Sequence, residues 1–414
     1  MRVSNLFTKT LKDAPADEVA KNAQLLIRAG FVYKEMAGVY AYLPLGKKVL
    51  ENIIQVIREE MDDIGGNEIS LTALQSSEAW KATGRWDDQV LDVWFKTKLA
   101  NGTELGLAPT HEEALTKLMK NYIHSYKDLP VYPYQFQIKF RNELRSKSGL
   151  MRGREFWMKD LYSFSRTQEE HDTFYEQVSA AYVRVFDRLG LGDSTFKTFA
   201  SGGSFAKFSH EYQTISPVGE DLIYLDRATG IAVNEEVYTD EVLAELGLNK
   251  DTLEEVKAVE VGNTFNLSTK FSDPLELNFT DEDGTSKQVI MGSYGIGPSR
   301  LMGLIAEHFA DDKGLVWPAN VAPYKVYLVS IGNITDQANE LYEELKATGL
   351  TVLFDDRAER PGAKFADAEL MGLPYRVTIS ERLIEQGKLE LTYRNTSETE
   401  LLTLDELLAK ISWL

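Results

Sequence analysis

Arginines set among glycines and acids are the residues of this sequence best suited to chemistry. Arg141 stands in Phe-Arg-Asn-Glu at 140–143, Arg152 begins the run Arg-Gly-Arg-Glu-Phe, and Arg300 ends Gly-Ser-Tyr-Gly-Ile-Gly-Pro-Ser-Arg at 292–300. A guanidinium binds two phosphate oxygens at once and stays charged at any working pH. Arginines that converge on one pocket therefore suit a triphosphate better than a neutral metabolite.

Each motif also has a plainer explanation. Arg141 and Glu143 alternate on a predicted strand and would share one face, which is also how a common surface ion pair is arranged. Arg300 follows a strand–glycine–helix pattern, and it could simply be a helix-start arginine in solvent. The glycines before it are in the wrong order for a dinucleotide fingerprint. The first motif becomes specific because a basic loop and a returning Arg-Glu-Phe at 154–156 follow it.

A further element, Pro-Thr-His-Glu-Glu at 109–113, carries a hydroxyl and a carboxylate two residues apart. Thr110 and Glu112 can hold an ammonium group between them. Alternatively, Thr110 is the N-cap of a helix and Glu113 completes a capping box. Both explanations can hold together, because Glu112 then remains available to a pocket.

A glycine-rich segment, Ser-Gly-Gly at 201–203, lies between Phe199 and His210, and its plain interpretation is a turn. His210 taken alone is more often structural than catalytic. The remaining histidines show no metal-ligand spacing; they are His111, His124, His171 and His308.

The composition sets limits on the class of protein. The chain has 414 residues, of which 43% are hydrophobic and 11% aromatic, enough for several domains with large cores. No segment has the run of about 18 apolar residues that a membrane helix needs, and the start lacks a signal-peptide core. The absence of cysteine excludes disulfides and thiolate zinc sites, which fits the cytoplasm.

The net charge of −19 argues at first against a nucleic-acid partner. A local basic patch can still bind phosphate, however. Residues 139–159 form such a cluster, with Lys139, Arg141, Arg145, Lys147, Arg152, Arg154 and Lys159.

Hydrophobic periodicity predicts the elements that position these residues. Helices are expected over 16–30, 46–64, 111–121, 168–189 and 297–308, with a small helical excursion at 240–256. Strands are expected over 68–74, 90–98, 104–108, 134–142, 155–164 and 288–293, and from Thr195 onward.

Two prolines within 316–323 predict a linker. After it, strands and helices alternate at 324–331, 335–348, 350–354, 362–371, 374–380, 389–393 and 403–411. This pattern predicts a separate α/β domain of about one hundred residues. We therefore expect domains over 1–318 and 319–414.

Together these motifs resemble those of the prolyl-tRNA synthetase family, in its compact bacterial-type form, among the class II aminoacyl-tRNA synthetases. The likeness covers essentially the whole chain and includes Met-Lys-Asp-Leu-Tyr-Ser-Phe at 158–164 and Arg-Pro-Gly-Ala-Lys-Phe-Ala-Asp-Ala at 360–368. It places motif 1 at about 38–75, motif 2 at about 134–164, motif 3 at about 289–308 and the amino-acid loop at 108–113. The fold it implies is α+β: an antiparallel-sheet catalytic domain followed by an α/β anticodon-binding domain, in a homodimer.

The resemblance implies that L-proline and ATP form prolyl-adenylate and pyrophosphate, and that prolyl is then transferred to tRNA(Pro). Proline would contact Thr110, Glu112, Arg141, Phe156, Phe199, Ser201, Gly202 and His210. ATP would contact Arg141, Glu143, Arg152, Glu260, Asn263 and Arg300, with Arg141 and Arg300 as the catalytic pair. Mg²⁺ would arrive with ATP, Glu260 being a candidate ligand, and no zinc is expected.

The implied chemistry fits the residue types. The substrate carboxylate is already ionised at neutral pH, so the first step rests on positioning and on charge stabilisation at the α-phosphate. The matching anticodon carries two guanines, which basic and acidic side chains can read. The candidates are Asp356, Arg357, Glu359 and Lys364, although they could equally brace a βαβ turn.

The sequence departs from the family pattern in three places. The stretch between Gln213 and Glu260 is too short for the large editing insertion of many bacterial members, which predicts that mischarged alanyl-tRNA is not cleared by this chain. Asn263 stands where many relatives have histidine, and Thr72 where the class usually has proline. The last change bears on dimerisation through motif 1.

Other functions share parts of this pattern. Threonyl, seryl, glycyl and histidyl synthetases use related motifs, but a threonyl enzyme normally needs a cysteine-bearing zinc site. A non-catalytic synthetase paralogue usually loses one motif arginine, and Arg141 and Arg300 are both present. A generic ATP-dependent ligase would not need the C-terminal α/β domain.

Overall fold

The computed structural model describes residues 1–144, 148–202 and 208–411. The predictions that involve Arg145, Lys147 and Gly203 lie outside the described residues. In chain order the strands are β1 Val32–Met36, β2 Val39–Tyr42, β3 Asn67–Glu68, β4 Leu74–Ser76, β5 Phe95–Lys98, β6 Glu104–Leu107, β7 Pro133–Phe140, β8 Glu155–Ser165, β9 Thr195–Ser201, β10 Phe208–Ile215, β11 Asp221–Asp226, β12 Ile231–Asn234, β13 Glu254–Ser268, β14 Asn278–Thr280, β15 Ser286–Gln288, β16 Ile290–Ile296, β17 Val326–Ile331, β18 Val352–Asp355, β19 Tyr375–Ser380, β20 Leu389–Tyr393 and β21 Thr399–Leu402.

The helices confirm most of the periodicity predictions, with bounds that differ by a few residues. They are α1 Lys21–Arg28, α2 Pro44–Asp63, α3 Ser77–Ala82, α4 Glu112–Met119, α5 Gln168–Arg188, α6 Asp240–Glu245, α7 Pro298–His308, α8 Thr335–Ala347, α9 Pro361–Met371, α10 Glu381–Glu385 and α11 Leu404–Ile411.

The chain forms two compact units. The first comprises Met1–Ile53, Lys147–Arg152 and Met302–Leu414, and the second comprises Ile54–Ser146 and Gly153–Leu301.

The second unit is built on a sheet whose described strands run in the order β10-β9-β12-β11-β13-β16-β8-β7-β3. Neighbouring strands are antiparallel except for the β9–β12 and β3–β7 pairs. β10 also pairs with β13, so strands β9 to β13 close on themselves. This sheet confirms the predicted α+β fold with an antiparallel sheet.

The hydrophobic core of the second unit fixes the helix that follows the Pro-Thr-His-Glu-Glu loop. Leu115 and Met119, one helical turn apart on α4, pack with Phe164 of β8 and Met291 of β16. All four side chains are buried. The start of α4 is thereby held beside the middle of the sheet.

The C-terminal part of the first unit is built on a sheet whose described strands run in the order β18-β17-β19-β20-β21. β17 is parallel to both β18 and β19, and β20 and β21 add an antiparallel hairpin. The predicted α/β alternation is confirmed, while β21 and α10 were missed. The core is apolar residues of β17, β18, β19, α8 and α11.

The segment 311–317 makes hydrogen bonds to residues at the end of α9. The amides of Leu315 and Trp317 donate to the carbonyls of Leu370 and Gly372, at 3.1 and 3.0 Å. The Trp317 indole N–H donates to the Met371 carbonyl at 3.1 Å. The start of the predicted linker is therefore bound to the end of α9.

Two element predictions are wrong. The strand expected over 68–74 ends at Glu68, because the amide of Leu71 donates to the side chain of Gln135 rather than to a neighbouring strand. The helical excursion expected over 240–256 ends earlier, since residues from Glu254 onward pair with β11 as the start of β13. None of the helices among the described residues has both the length and the apolar character needed to cross a membrane.

Candidate active site

A cavity of about 180 Å³ lies in the second unit. Drug-sized ligands occupy pockets of roughly 300–1,000 Å³, so this cavity suits a smaller molecule. Four residues predicted from the sequence line it: Thr110, Glu112, Arg141 and Asn263. The other lining residues are Arg85, Met158, Asp160, Phe265, Leu267, Phe271, Ser293 and Gly295.

Arg141 reaches the cavity because β7 ends one residue before it. The Phe140 amide donates to the Ala108 carbonyl at 3.0 Å, which brings the end of β7 against the Pro-Thr-His-Glu-Glu loop. The Nε of Arg141 then donates to the Pro109 carbonyl at 3.3 Å. The guanidinium carbon lies 5.3 Å from the ring centre of Phe156.

The prediction that Arg141 and Glu143 alternate on one strand face is wrong. Both residues lie beyond Phe140, the last residue of β7. The Glu143 amide donates to the Arg141 carbonyl at 2.8 Å, which is a tight turn rather than extended backbone.

Thr110 and Glu112 contact each other directly at the cavity wall. The Thr110 hydroxyl donates to Oε2 of Glu112 at 2.6 Å. Hydroxyls of Tyr162 and Ser293 reach Oε1 at 3.3 and 3.4 Å. Glu112 is therefore a carboxylate held by hydroxyl groups, with room beside it for a ligand.

The predicted capping box is wrong. His111 occupies the N-cap position of α4 and makes no side-chain cap. The Thr110 hydroxyl is taken up by Glu112, and Glu113 turns to Arg85, at 3.0 Å, instead of reaching back to the N-cap amide. The start of the helix favours negative charge nonetheless, so both carboxylates are stabilised by the helix dipole.

The electrostatics leave Glu112 ionised. Burial alone would raise the pKa of Glu112, but Arg85 and the Thr110 hydroxyl more than offset it, so the pKa is lowered. The cavity wall thus presents a carboxylate at neutral pH.

The charges of Arg141 and Arg300 act on each other. Burial lowers the pKa of Arg141, and the positive charge of Arg300 lowers it further. Arg300 donates to the Glu260 carbonyl at 2.6 Å and to its carboxylate at 3.3 Å, so it is not a solvent arginine. Asn263 donates to the other carboxylate oxygen of Glu260 at 2.8 Å. Arg141 and Arg300 repel each other, and Glu260 is the acid beside them. The two positive charges therefore favour an anionic ligand in this region.

Two glycines of the 292–300 motif are required by close approach. A Cβ at Gly292 would lie 2.7 Å from the Ser163 hydroxyl, and one at Gly295 would lie 2.7 Å from the Met158 methyl and 2.9 Å from Oδ1 of Asn263. Any side chain at Gly295 would therefore push into the cavity wall.

The basic patch over 139–159 is smaller than the sequence predicted. Lys139 and Lys159 are 1% and 0% exposed. Lys139 binds Asp160 and His111, and Lys159 donates to the Tyr182 hydroxyl at 2.7 Å. These two lysines cannot meet a nucleic acid, because their charges are used inside the fold.

Several predicted site residues lie outside the cavity wall. Phe199 and His210 sit on adjacent strands with ring centres 4.6 Å apart. Nδ1 of His210 forms a hydrogen bond with the Tyr175 hydroxyl at 2.7 Å. Burial lowers the pKa of His210 to about 3. The amide of Ser201 donates to Glu236 at 2.6 Å, and Gly202 is buried. Their predicted contacts with proline stay predictions.

Two predicted ATP ligands also stay predictions. Glu143 is half-buried in the second unit, where its carbonyl accepts from Arg154 at 3.1 Å. Arg152 belongs to the first unit and follows the short helical turn Gly149–Met151.

The anticodon candidates lie around the start of α9. Arg357 forms ion pairs with Asp355 at 2.6 Å and Asp367 at 2.7 Å. Lys364 is buried and donates to the carbonyls of Ser330 and Asp355, at 2.9 and 3.1 Å. These contacts favour the bracing alternative for both residues. Asp356 accepts from Ser4, whereas Glu359 is exposed.

Asp160 and Arg85 were missed. Asp160 follows Phe156 by an even number of residues on β8, and strand alternation could have placed both on one face. Arg85 had no such signal, because it lies in an irregular segment after α3.

Comparison with protein families places two domains on the chain. A model of the class II tRNA synthetase core domain (G, H, P, S and T) matches residues 95–309, and a model of an anticodon-binding domain matches residues 325–413. The proline–tRNA ligase of Anaplasma marginale is 36% identical over 99% of this chain and 100% of its own length. That of Methylobacterium radiotolerans is 38% identical over 99% of each chain. The chain belongs to the proline–tRNA ligase family. This membership decides against the threonyl, seryl, glycyl and histidyl families.

Solved structures support the same fold. The prolyl-tRNA synthetase of Cryptosporidium parvum, complexed with halofuginone and AMPPNP, matches with a TM-score of 0.77 at 19% identity, over 94% of this chain and 75% of that one. The same enzyme complexed with L-proline and AMP matches with a TM-score of 0.76 at 20% identity. In this member of the proline–tRNA ligase family, the segment between β10 and β13 holds β11, β12, α6 and short helical turns.

Proposed function

We propose that this protein activates L-proline with ATP and transfers the prolyl group to tRNA(Pro), as the names of its full-length relatives indicate. The observation that best supports a small amino-acid substrate is the cavity of about 180 Å³ that joins Glu112 to Arg141. A carboxylate and a guanidinium in one small cavity match the ammonium and carboxylate of an amino acid. Apolar Phe265, Leu267 and Phe271 in the same wall suit a pyrrolidine ring.

In the proposed complex, Glu112 and Thr110 receive the amino group. Glu112 is ionised and accepts hydrogen bonds from neighbouring hydroxyl groups. The substrate ammonium would therefore add a charge-assisted hydrogen bond to its carboxylate. Phe156, Phe199, Ser201, Gly202 and His210 remain proposed contacts of the substrate.

The first reaction needs no protein base. The proline carboxylate attacks the α-phosphate, the bond to the β-phosphate breaks, and pyrophosphate leaves with the electron pair. Arg141 and Arg300 are proposed to stabilise the charge that develops, since they are close enough for the charge of Arg300 to act on Arg141 and a guanidinium keeps its charge at working pH. Glu143, Arg152, Glu260 and Asn263 are proposed to contribute to ATP binding.

Magnesium would accompany ATP. Among residues 1–144, 148–202 and 208–411, no group of three or more His, Asp or Glu could hold a metal by itself. Mg²⁺ characteristically uses one or two carboxylates together with substrate phosphates, and Glu260 is such a carboxylate. Burial and the charge of Glu260 together raise the pKa of the nearby Glu211 to about 7, as expected for two acids close together. When bound, the ion would neutralise phosphate charge. Zinc has no part in the proposal.

The C-terminal domain, proposed to begin near residue 319, would read the anticodon. Glu359 is the candidate best exposed for this role; Asp356 and Arg357 lie in the same loop before α9, and Lys364 lies in α9. We further propose a homodimer acting in the cytoplasm, where tRNA is charged.

ATP–pyrophosphate exchange with each of the twenty amino acids, without tRNA, tests the proposal. Exchange that depends on proline, with a weaker signal from alanine, is the expected result. Well-folded protein that gives no exchange with any amino acid would favour a non-catalytic paralogue. Charging of tRNA(Pro) transcript with labelled proline then tests the second step.

A further inference from the structure

Arg85 lies in the cavity wall although no sequence motif marks it. Its NH1 atom donates to Oε2 of Glu112 at 3.3 Å and to the two oxygens of Glu113 at 3.0 and 3.2 Å. Its guanidinium carbon lies 5.0 Å from the ring centre of Trp80 and 5.2 Å from that of Phe271. One half-buried arginine therefore serves two adjacent carboxylates.

Hydrogen bonds hold the Arg85 main chain to Trp94 and connect the neighbouring Trp80 to the loop before Glu112. The Trp94 indole donates to the Arg85 carbonyl at 2.9 Å. The Trp80 indole donates to Gln75 at 2.6 Å, and the Gln75 amide group donates to the Thr110 carbonyl at 3.3 Å. The guanidinium is thus held in a defined place relative to Thr110 and Glu112.

The two carboxylates differ in their surroundings. Glu112 lines the cavity, whereas Glu113 is fully buried outside the lining and accepts from the Thr83 hydroxyl at 2.9 Å. Burial, only partly offset by Arg85, raises the pKa of Glu113 to about 7, and the charge of Glu112 adds to the rise. Other charged or titratable groups surround Glu112, Glu113 and Arg85 and act on them or on their neighbours. They are Asp160, Tyr162, Lys139, His111, Arg141 and Lys270.

We propose that Arg85 is a positioning residue for the amino-acid pocket, holding the Glu112 carboxylate towards the cavity as the anionic partner of the substrate's amino group. This inference rests on the proposed function and adds a residue to its binding site. Glu113 takes the remaining hydrogen bonds of the same guanidinium from outside the cavity. Without Arg85, one proton shared by two crowded carboxylates would neutralise Glu112 for part of the time.

The test uses the full-length protein and ATP–pyrophosphate exchange, with proline and ATP varied separately between about pH 6 and 9. R85M should raise the proline KM about tenfold or more while the ATP KM stays within about twofold, because a charge-assisted contact to the amino group is lost. In R85M an acid limb of proline KM should enter this pH range, whereas in wild type and E113Q Glu112 should stay ionised throughout it. R85K should recover part of the loss, since a point charge cannot span both acids.

Arg166 supplies a matched control. It also pairs with two carboxylates, Asp281 at 2.7 Å and Glu282 at 3.1 Å, and lies 5.0 Å from the ring centre of Tyr126. R166M should leave both KM values and the pH profile unchanged.

Three outcomes would overturn the inference: a wild-type proline KM and pH profile in R85M, an equal rise in both KM values, or no recovery in R85K. If R85M does not fold, the double variant R85M/E113Q, which removes one charge of each sign, still gives the comparison of proline KM with ATP KM. Wild-type protein without proline-dependent exchange would instead refute the proposed function, so the two failures are distinguishable.

Discussion

Replacement of Arg141 by alanine separates catalysis from stability. The Arg141 side chain donates a long hydrogen bond, 3.3 Å, to the Pro109 carbonyl, and burial and Arg300 both disfavour its charge. A hydrogen bond from a charged donor contributes about 1.5–3 kcal/mol at good geometry and less at this length, and relief of the buried repulsion offsets much of that. The folded state should therefore change by no more than about 1 kcal/mol, or a few degrees in Tm.

The effect on proline activation should be far larger. Removal of one donor to developing charge costs about 2.7–4 kcal/mol, which corresponds to a rate loss of roughly 100- to 1,000-fold. The assay is proline-dependent ATP–pyrophosphate exchange at saturating substrates, with thermal unfolding measured on the same preparation. Arg227→Ala is the control, because Arg227 is 56% exposed and pairs only at the surface with Glu254, at 2.7 Å. Near wild-type exchange in folded Arg141→Ala would refute the assignment, and a large fall in Tm would refute the electrostatic argument.

Two further predictions concern stability. Gly46→Ala should destabilise the fold by about 1–3 kcal/mol, because the new Cβ would lie 2.1 Å from the Phe31 carbonyl oxygen, whereas Gly362→Ala, with no atom within 4 Å, should be neutral or stabilising in denaturant titrations. Equal midpoints for the two variants would contradict this. Asp311→Asn should cost about 1 kcal/mol at pH 7, a modest value because Asp311 is 42% exposed. Its hydrogen bond to Arg394 lowers the pKa of Asp311 in the folded state, so the contribution is present above the unfolded pKa of about 4 and shrinks as the pH falls from about 5 towards 2. If the difference in unfolding free energy between wild type and Asp311→Asn does not shrink as the pH is lowered, the assignment is contradicted.

The sequence predicted the elements whose pattern repeats. β7, β8, α5, α7 and the alternation after residue 324 follow from periodicity, since each buries one face along its length. The expected strand at 68–74 failed because the Gln135 side chain, distant in sequence, satisfies the backbone there.

The candidate site was predictable where a motif carries the chemistry. Thr110, Glu112 and Arg141 line one cavity, as their residue types suggested. Burial of Lys139 and Lys159 could not be predicted, because a lysine enters a core only when a partner such as Asp160 or Tyr182 is brought to it by the fold. Arg85 acquires its importance in the same way, through contacts that no local pattern encodes.

The segment 311–317 limits where chimaeras between members of this family can be joined. Its amides and the Trp317 indole are bound by the carbonyls that end α9, and Gly372 adopts a left-handed φ of 70° where a Cβ would lie 2.0 Å from the Leu315 carbonyl oxygen. In a chimaera of two relatives, a crossover at Pro318 or Pro323 would take Trp317 from one parent and α9 from the other. Viable crossovers between relatives should therefore fall before Asp311, so that the segment and the glycine that accommodates it are inherited together.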